Sequence, residues 1–198
     1  MKRQQLLALA AVPLFLASLA FPFWTARMKA PTYPEKALAM ELYAYKYDGD
    51  LEEWNRVGRA VGVRVPPPVP DVFFPLFTAA VVGMGALALA GALRERWLGV
   101  AAVCPWLVLG VLMAWGQYSL YLFGHSLDPE RPLRYLEPFT PPIVGVLTLG
   151  KIQTYHFPYV GSLLFVAAAA LVVASAWQAG RLRLAWPRTR REAPVSAD

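Results

Sequence analysis

The stretch "LLALAAVPLFLASLAFPFW", residues 6–24, carries no charged side chain over its 19 positions. Whether it forms one helix decides the fold. A helix needs about 20 apolar residues to cross a hydrocarbon core about 30 Å thick, so the stretch reads as a membrane span ending in interfacial aromatics. Three further runs meet the same length test: residues 72–93, 98–124 and 159–180. Four spans predict an all-α membrane protein, a four-transmembrane-helix bundle. The basic "MKRQQ" ahead of the first run, with Ser18 and Ala20 in a small-x-small arrangement, also fits a signal peptide. The apolar run continues to Trp24, which favours an uncleaved anchor.

Composition agrees with a membrane location. Hydrophobic residues make up 57% of the 198-residue chain, charged residues 16%, and the mean hydropathy is +0.40, which excludes an ordinary water-soluble domain. The single cysteine, Cys104, excludes an intrachain disulfide and cysteine-based zinc motifs. The net charge of +6 is not spread evenly. "MKRQQ", "RER" at 94–96 and the tail from residue 181 hold nine basic and three acidic residues, whereas residues 25–71 and 125–158 hold ten of each. The excess therefore lies on one side of the membrane, which predicts cytoplasmic termini in a bacterial inner (cytoplasmic) membrane, multi-pass, with the tail against anionic lipid. A basic face for nucleic acid is excluded by the same placement.

The expected organisation is then a first helix at 1–24, an extracytoplasmic segment at 25–71, helices two and three at 72–124, a proline-rich extracytoplasmic loop at 125–158, a fourth helix at 159–180 and a basic cytoplasmic tail at 181–198. In the first outer segment, "AMELYAYKY" alternates like a strand. Asp50 with Glu53 reads as a capping box that starts a helix whose apolar face is Leu51, Trp54, Val57 and Val61. Together these form a small strand-helix flap, too small for a core of its own. In the second outer segment, five prolines between Pro129 and Pro142 forbid a continuous helix. "IVGVLTLG" after them reads as an interfacial or re-entrant piece.

Helices in lipid approach through small side chains, so Ala79, Gly83, Ala86 and Ala90 in the second run, and Ala167, Ala170, Ala174 and Gln178 in the fourth, are expected seams. The third run carries Met113, Gln117, Tyr121 and His125 at four-residue spacing, with Tyr118 beside them, a polar stripe along one face. Interhelical hydrogen bonding is the plainer reading of Gln117, Tyr118, Tyr121 and His125. A ligand path opening outward is the sharper one.

No phosphate-binding glycine loop, dinucleotide fingerprint, paired-histidine zinc helix or nucleophile elbow is present. No ionisable carboxylate falls inside a span, which argues against proton pumping and ion-coupled transport. The chain holds two histidines, His125 and His156, both near the outer boundary. Copper or a similar soft metal would use His125, His156 and a methionine sulfur, from Met28 or Met113. A single outer haem is the other cofactor to consider.

The motifs "APTYP", "GDLEEWN" and "VGV" in the first outer segment, and "GHSLDP", "PPIVG" and "FPYVG" in the second, resemble a family of small multi-spanning membrane proteins. Members are encoded beside nitric oxide and nitrous oxide reductase genes. The closest likeness is to the accessory protein that follows the nitric oxide reductase subunits in thermophilic denitrifiers. The resemblance covers residues 27–161 and implies a non-catalytic accessory role in assembly, stability or metal supply of a respiratory reductase complex. It singles out Asn55, His125, Asp128 and Pro129. The family pattern continues after Asn55 with a histidine and a methionine where this chain has Arg59 and Val63, and His156 replaces a small residue. The alternative function is a quinone-binding or other small-molecule-binding membrane subunit or conduit.

Overall fold

The computed structural model describes residues 2–130, 132 and 137–182; most of the basic tail lies outside them. Five helices and five strands follow in the order α1 (Arg3–Ser18), β1 (Trp24–Lys29), β2 (Leu38–Leu42), β3 (Tyr47–Gly49), α2 (Leu51–Val61), α3 (Phe73–Leu93), α4 (Leu98–His125), β4 (Gly145–Leu149), β5 (Ile152–Pro158) and α5 (Val160–Gln178).

The all-α four-helix bundle is therefore wrong. Residues 6–24 are not one helix. α1 stops at Ser18 after 16 residues, about 24 Å at 1.5 Å per residue, while Pro22 disfavours helical backbone at Phe21. Phe23 then donates its N–H to Leu42 O at 2.7 Å, and Trp24 opens a strand. Among the described residues three helical stretches remain long and apolar enough to cross a membrane: Phe73–Leu93, Glu95–His125 and Val160–Gln178.

The second correction is the sheet. Instead of a flap with one strand, both outer segments contribute to a single antiparallel sheet in the order β3-β2-β1-β5-β4. Its centre is the β1·β5 pair, in which Trp24 faces Pro158, Ala26 faces His156 and Met28 faces Thr154. "GVLTL" is neither interfacial nor re-entrant; it is edge strand β4, hairpinned onto β5 through Gly150 with φ +60°.

α1 packs against α3 and α5, and α4 against α3 and α5. Buried aromatics tie them at the sheet end: the rings of Phe15 and Phe165 lie 5.1 Å apart and those of Phe23 and Phe77 4.8 Å apart, both edge to face. The opposite end carries Lys2 bonded to Glu95 at 2.8 Å, and Ser175 Oγ donating to Gln4 O at 2.7 Å. The expected seams are displaced. Ala79, Ala86, Ala167, Ala170 and Gln178 are exposed, and a Cβ added to Gly83 would meet nothing within 4 Å. The buried faces are instead Phe77, Val81, Gly85 and Ala88 on α3, and Phe165, Ala168, Val172 and Ser175 on α5.

α2 lies on the sheet through Trp54, Gly58 and Val61. Its expected capping box does not form, because the Asp50 carboxylate is already engaged. Oδ2 accepts from Ala39 N–H at 2.9 Å and Oδ1 pairs with Lys36 at 2.5 Å, which together hold this carboxyl below the usual carboxylate range.

Candidate functional site

The polar stripe of α4 comes apart into separate jobs. Gln117 faces the returning loop, where its amide donates to Pro141 O at 3.2 Å and accepts from Ile143 N–H at 3.3 Å. One side chain thus replaces a neighbouring strand for two backbone groups. Tyr118 and Tyr121 are exposed. The Tyr121 ring stacks on His125 at 4.0 Å, and His125 Nδ1 lies 2.9 Å from Tyr121 O, closing the helix end. These four residues do not converge on one ligand.

The recognised motifs are joints between sheet and helices. Gly124, in "GHSLDP", bonds through its carbonyl to Phe139 N–H at 3.1 Å. The approach is so close that an added Cβ would sit 1.8 Å from Phe139 O. Asp128 N–H donates to Gly62 O at 2.9 Å, joining the loop to the end of α2, while its carboxylate accepts from Glu130 N–H. Gly161, in "FPYVG", donates to Pro22 O at 2.9 Å, with room for no side chain against Phe21 O and Pro22 O. Pro129 is exposed, and Asn55 is half-buried on α2. Neither lines a cavity described below.

His156 and Met28 do come together. Both point to the face of the sheet that α2 covers, and both line a cavity of about 50 Å³ with Trp54, Val63, Phe123 and Phe139. Val63, at the position where the resembled family has methionine, is in this wall; Arg59, at its histidine position, is exposed. His156 is 6% exposed, and burial pushes its pKa from 6.5 down to about 4, so the ring is neutral at pH 7. His156 Nε2 lies 2.9 Å from Thr154 Oγ1, whose hydroxyl also reaches Leu147 O at 3.4 Å. Nδ1 has no hydrogen-bond partner, and neither does the buried Trp54 Nε1–H. His125 does not line this cavity. Met113 lines a different one.

That second cavity, about 250 Å³, lies between the sheet end and the outer halves of α3 and α4. Its wall includes Trp24, Phe73, Phe77, Leu112, Met113 and Trp115, with Ser119 and Ser162 among the few polar groups. Sequence reasoning missed it, along with Met40 and Thr154, because each depends on strand pairings between distant segments. The alternation of Trp24, Ala26 and Met28 was the available signal.

Among the described residues no group of three or more histidine, cysteine, aspartate or glutamate side chains is placed to hold a metal ion. No protein-family model matches the chain, and no curated protein matches it.

Proposed function

We propose that the chain is a multi-pass protein of the bacterial inner membrane that acts, without catalysis of its own, as an accessory subunit. It supports assembly, stability or metal supply of a respiratory nitrogen-oxide reductase. The end bearing Lys2, Arg94, Arg96 and Arg181 faces the cytoplasm, because lysine and arginine are retained there. The sheet then lies outside, surrounded at its base by membrane lipid.

The observation that carries the reading is the outer edge of the sheet. β4 pairs with β5 on one side only among the described residues. Its five residues, Gly145–Leu149, contain no proline and no charge, and Val144 and Val146 are exposed. Solitary proteins usually protect such an edge with charge, proline or a bulge, and an edge left open suits strand addition by a partner. Affinity purification of the tagged full-length chain from denitrifying membranes tests this. The reductase should co-purify, and Val146→Lys should reduce its recovery at least tenfold while the variant's own yield holds. Absence of the reductase from the unsubstituted preparation overturns the proposal.

The alternative reading, a quinone-binding or other small-molecule-binding subunit, is favoured by the 250 Å³ cavity, whose apolar aromatic wall suits a lipophilic tail. Solvent extraction of the purified chain should then release a stoichiometric quinone that Ser119→Trp excludes.

A further inference from the structure

We infer that a groove at the far end of the sheet binds an extended, acidic and partly apolar segment of a partner protein, whose carboxylate is taken up by Arg56 and Lys151. The groove, about 590 Å³, is walled by three pieces distant in sequence: the turn at 30–33, one flank of α2 and the β4–β5 hairpin. β1 leaves the helices at Trp24 and reaches this turn after Lys29, while β5 starts here at Ile152 and ends beside α5 at Pro158. The groove therefore lies at the end of the sheet away from the helices and from the hydrocarbon around them. The turn belongs to the motif "APTYP". Tyr33 N–H closes it by donating to Ala30 O at 2.9 Å, and it sets Thr32 and Tyr33 in the wall.

Charge and continuity choose the occupant. The floor is apolar, formed by Val57, Ala60, Leu149 and Ile152, and gains from an apolar side chain laid on it. The charged groups in the wall are both cations, Arg56 and Lys151. Acidic and basic residues balance over the two outer segments at ten each, yet no carboxylate lines this groove. Among the described residues neither cation joins an ion pair, and Glu52, one helical turn before Arg56, forms none with it. The Arg56 guanidinium offers paired N–H donors that match a carboxylate, and Lys151 adds a second positive charge at the hairpin tip. The arginines of this chain's own tail have the wrong sign to fill the groove. A peptide is selected by the neighbouring strand: β4, the open edge, ends at Leu149, which is itself in the groove wall. A strand added to β4 runs on into the groove, so that backbone bonds along the edge give affinity while the floor and the two cations give specificity.

This deepens the accessory-subunit reading and rests on it only for the identity of the partner. The probe is a random heptapeptide library displayed on phage and selected against the detergent-purified full-length chain, the enriched peptides then being measured by fluorescence anisotropy. Aspartate or glutamate should be enriched next to leucine, isoleucine, valine or phenylalanine, with affinity that falls as salt is raised. Arg56→Gln and Lys151→Gln, both at exposed positions, should each weaken binding at least tenfold. Arg56→Glu combined with Lys151→Glu should turn the selection toward lysine and arginine, and Lys46→Gln, outside the groove, should change nothing. An absence of enrichment, enriched peptides without carboxylates, or binding that survives loss of both cations overturns the inference. So does displacement of the peptide by phosphatidylglycerol vesicles, which would give the groove to a lipid headgroup, or a purified dimer that the same substitutions split, which would give it to a second copy. Reductase co-purification is read separately: its failure with peptide binding intact removes the reductase and keeps the groove.

Discussion

Acid should destabilise this protein through one ring. His156 is neutral in the fold with a pKa of about 4, against 6.5 when solvated. Above pH 6.5 both states are neutral there and nothing is lost. As pH falls through 6.5 the unfolded chain takes up a proton that the folded chain refuses, so stability drops steadily until about pH 4, where the folded ring titrates as well. A shift of 2.5 units at 1.36 kcal/mol each gives a loss of about 3 kcal/mol across that window. The measurement is thermal or chemical unfolding of the metal-free protein in detergent at half-unit steps from pH 7.5 to 4, for the unsubstituted chain and for His156→Leu. The variant's absolute stability will differ because of packing. Its slope with pH is what matters, and it should be flatter by about 3 kcal/mol over the window. Carboxylates held low by their partners, such as Asp48 and Asp50, lose their contribution as pH falls toward and below 4, and they do so in both proteins. Parallel pH profiles for the two chains would refute the placement of a neutral, buried His156.

Gln117→Leu removes both bonds to Pro141 and Ile143 and leaves two partly buried backbone groups short of a partner, for a loss of about 2 kcal/mol, measured by denaturant unfolding. Gly124→Ala drives a methyl into the Phe139 carbonyl and should cost about 3 kcal/mol, with faster proteolysis between residues 137 and 144 as the visible sign. Tyr118→Ala, at a side chain 57% exposed, should change unfolding free energy by no more than about 0.5 kcal/mol. Cysteines placed at Lys151 and at Glu95 in intact cells should differ in labelling by an impermeant thiol reagent. Lys151→Cys reacts and Glu95→Cys does not, and the reverse pattern would invert the assigned orientation.

The long helices were legible because crossing length is a local property: α3 and α5 begin and end within a residue or two of the apolar runs that announce them. The first run shows where that logic stops. Hydropathy treats Leu19 to Trp24 as more of the same, but Pro22 breaks the helix and Trp24 is committed to a strand by partners at Leu42 and Pro158, one of them more than 130 residues away. The seams failed for a related reason. Alanine and glycine line two faces of α3, and lipid offers no penalty that separates them. The buried face is picked out by Phe77 and Val81, which have neighbours to fill, and α1 supplies Phe15 and Leu16 against Gly85.

His125 and His156 divide the site problem in the same way. His125 stands in a motif that can be read as text, "GHSLDP", yet its neighbour Gly124 is the member under geometric constraint, while the histidine is exposed and closes a helix. His156 carried no motif at all. Its interest arises only after β5 is laid beside β1, because that pairing puts Met28 diagonally across from it, sets the Trp24 ring 5.3 Å from its own and leaves its Nε2 against Thr154 Oγ1. A residue's chemistry here is decided by what the sheet sets opposite it. The strand register thus decides which side chains meet on the covered face, and β1, six residues between a truncated helix and a turn, is the element on which it depends.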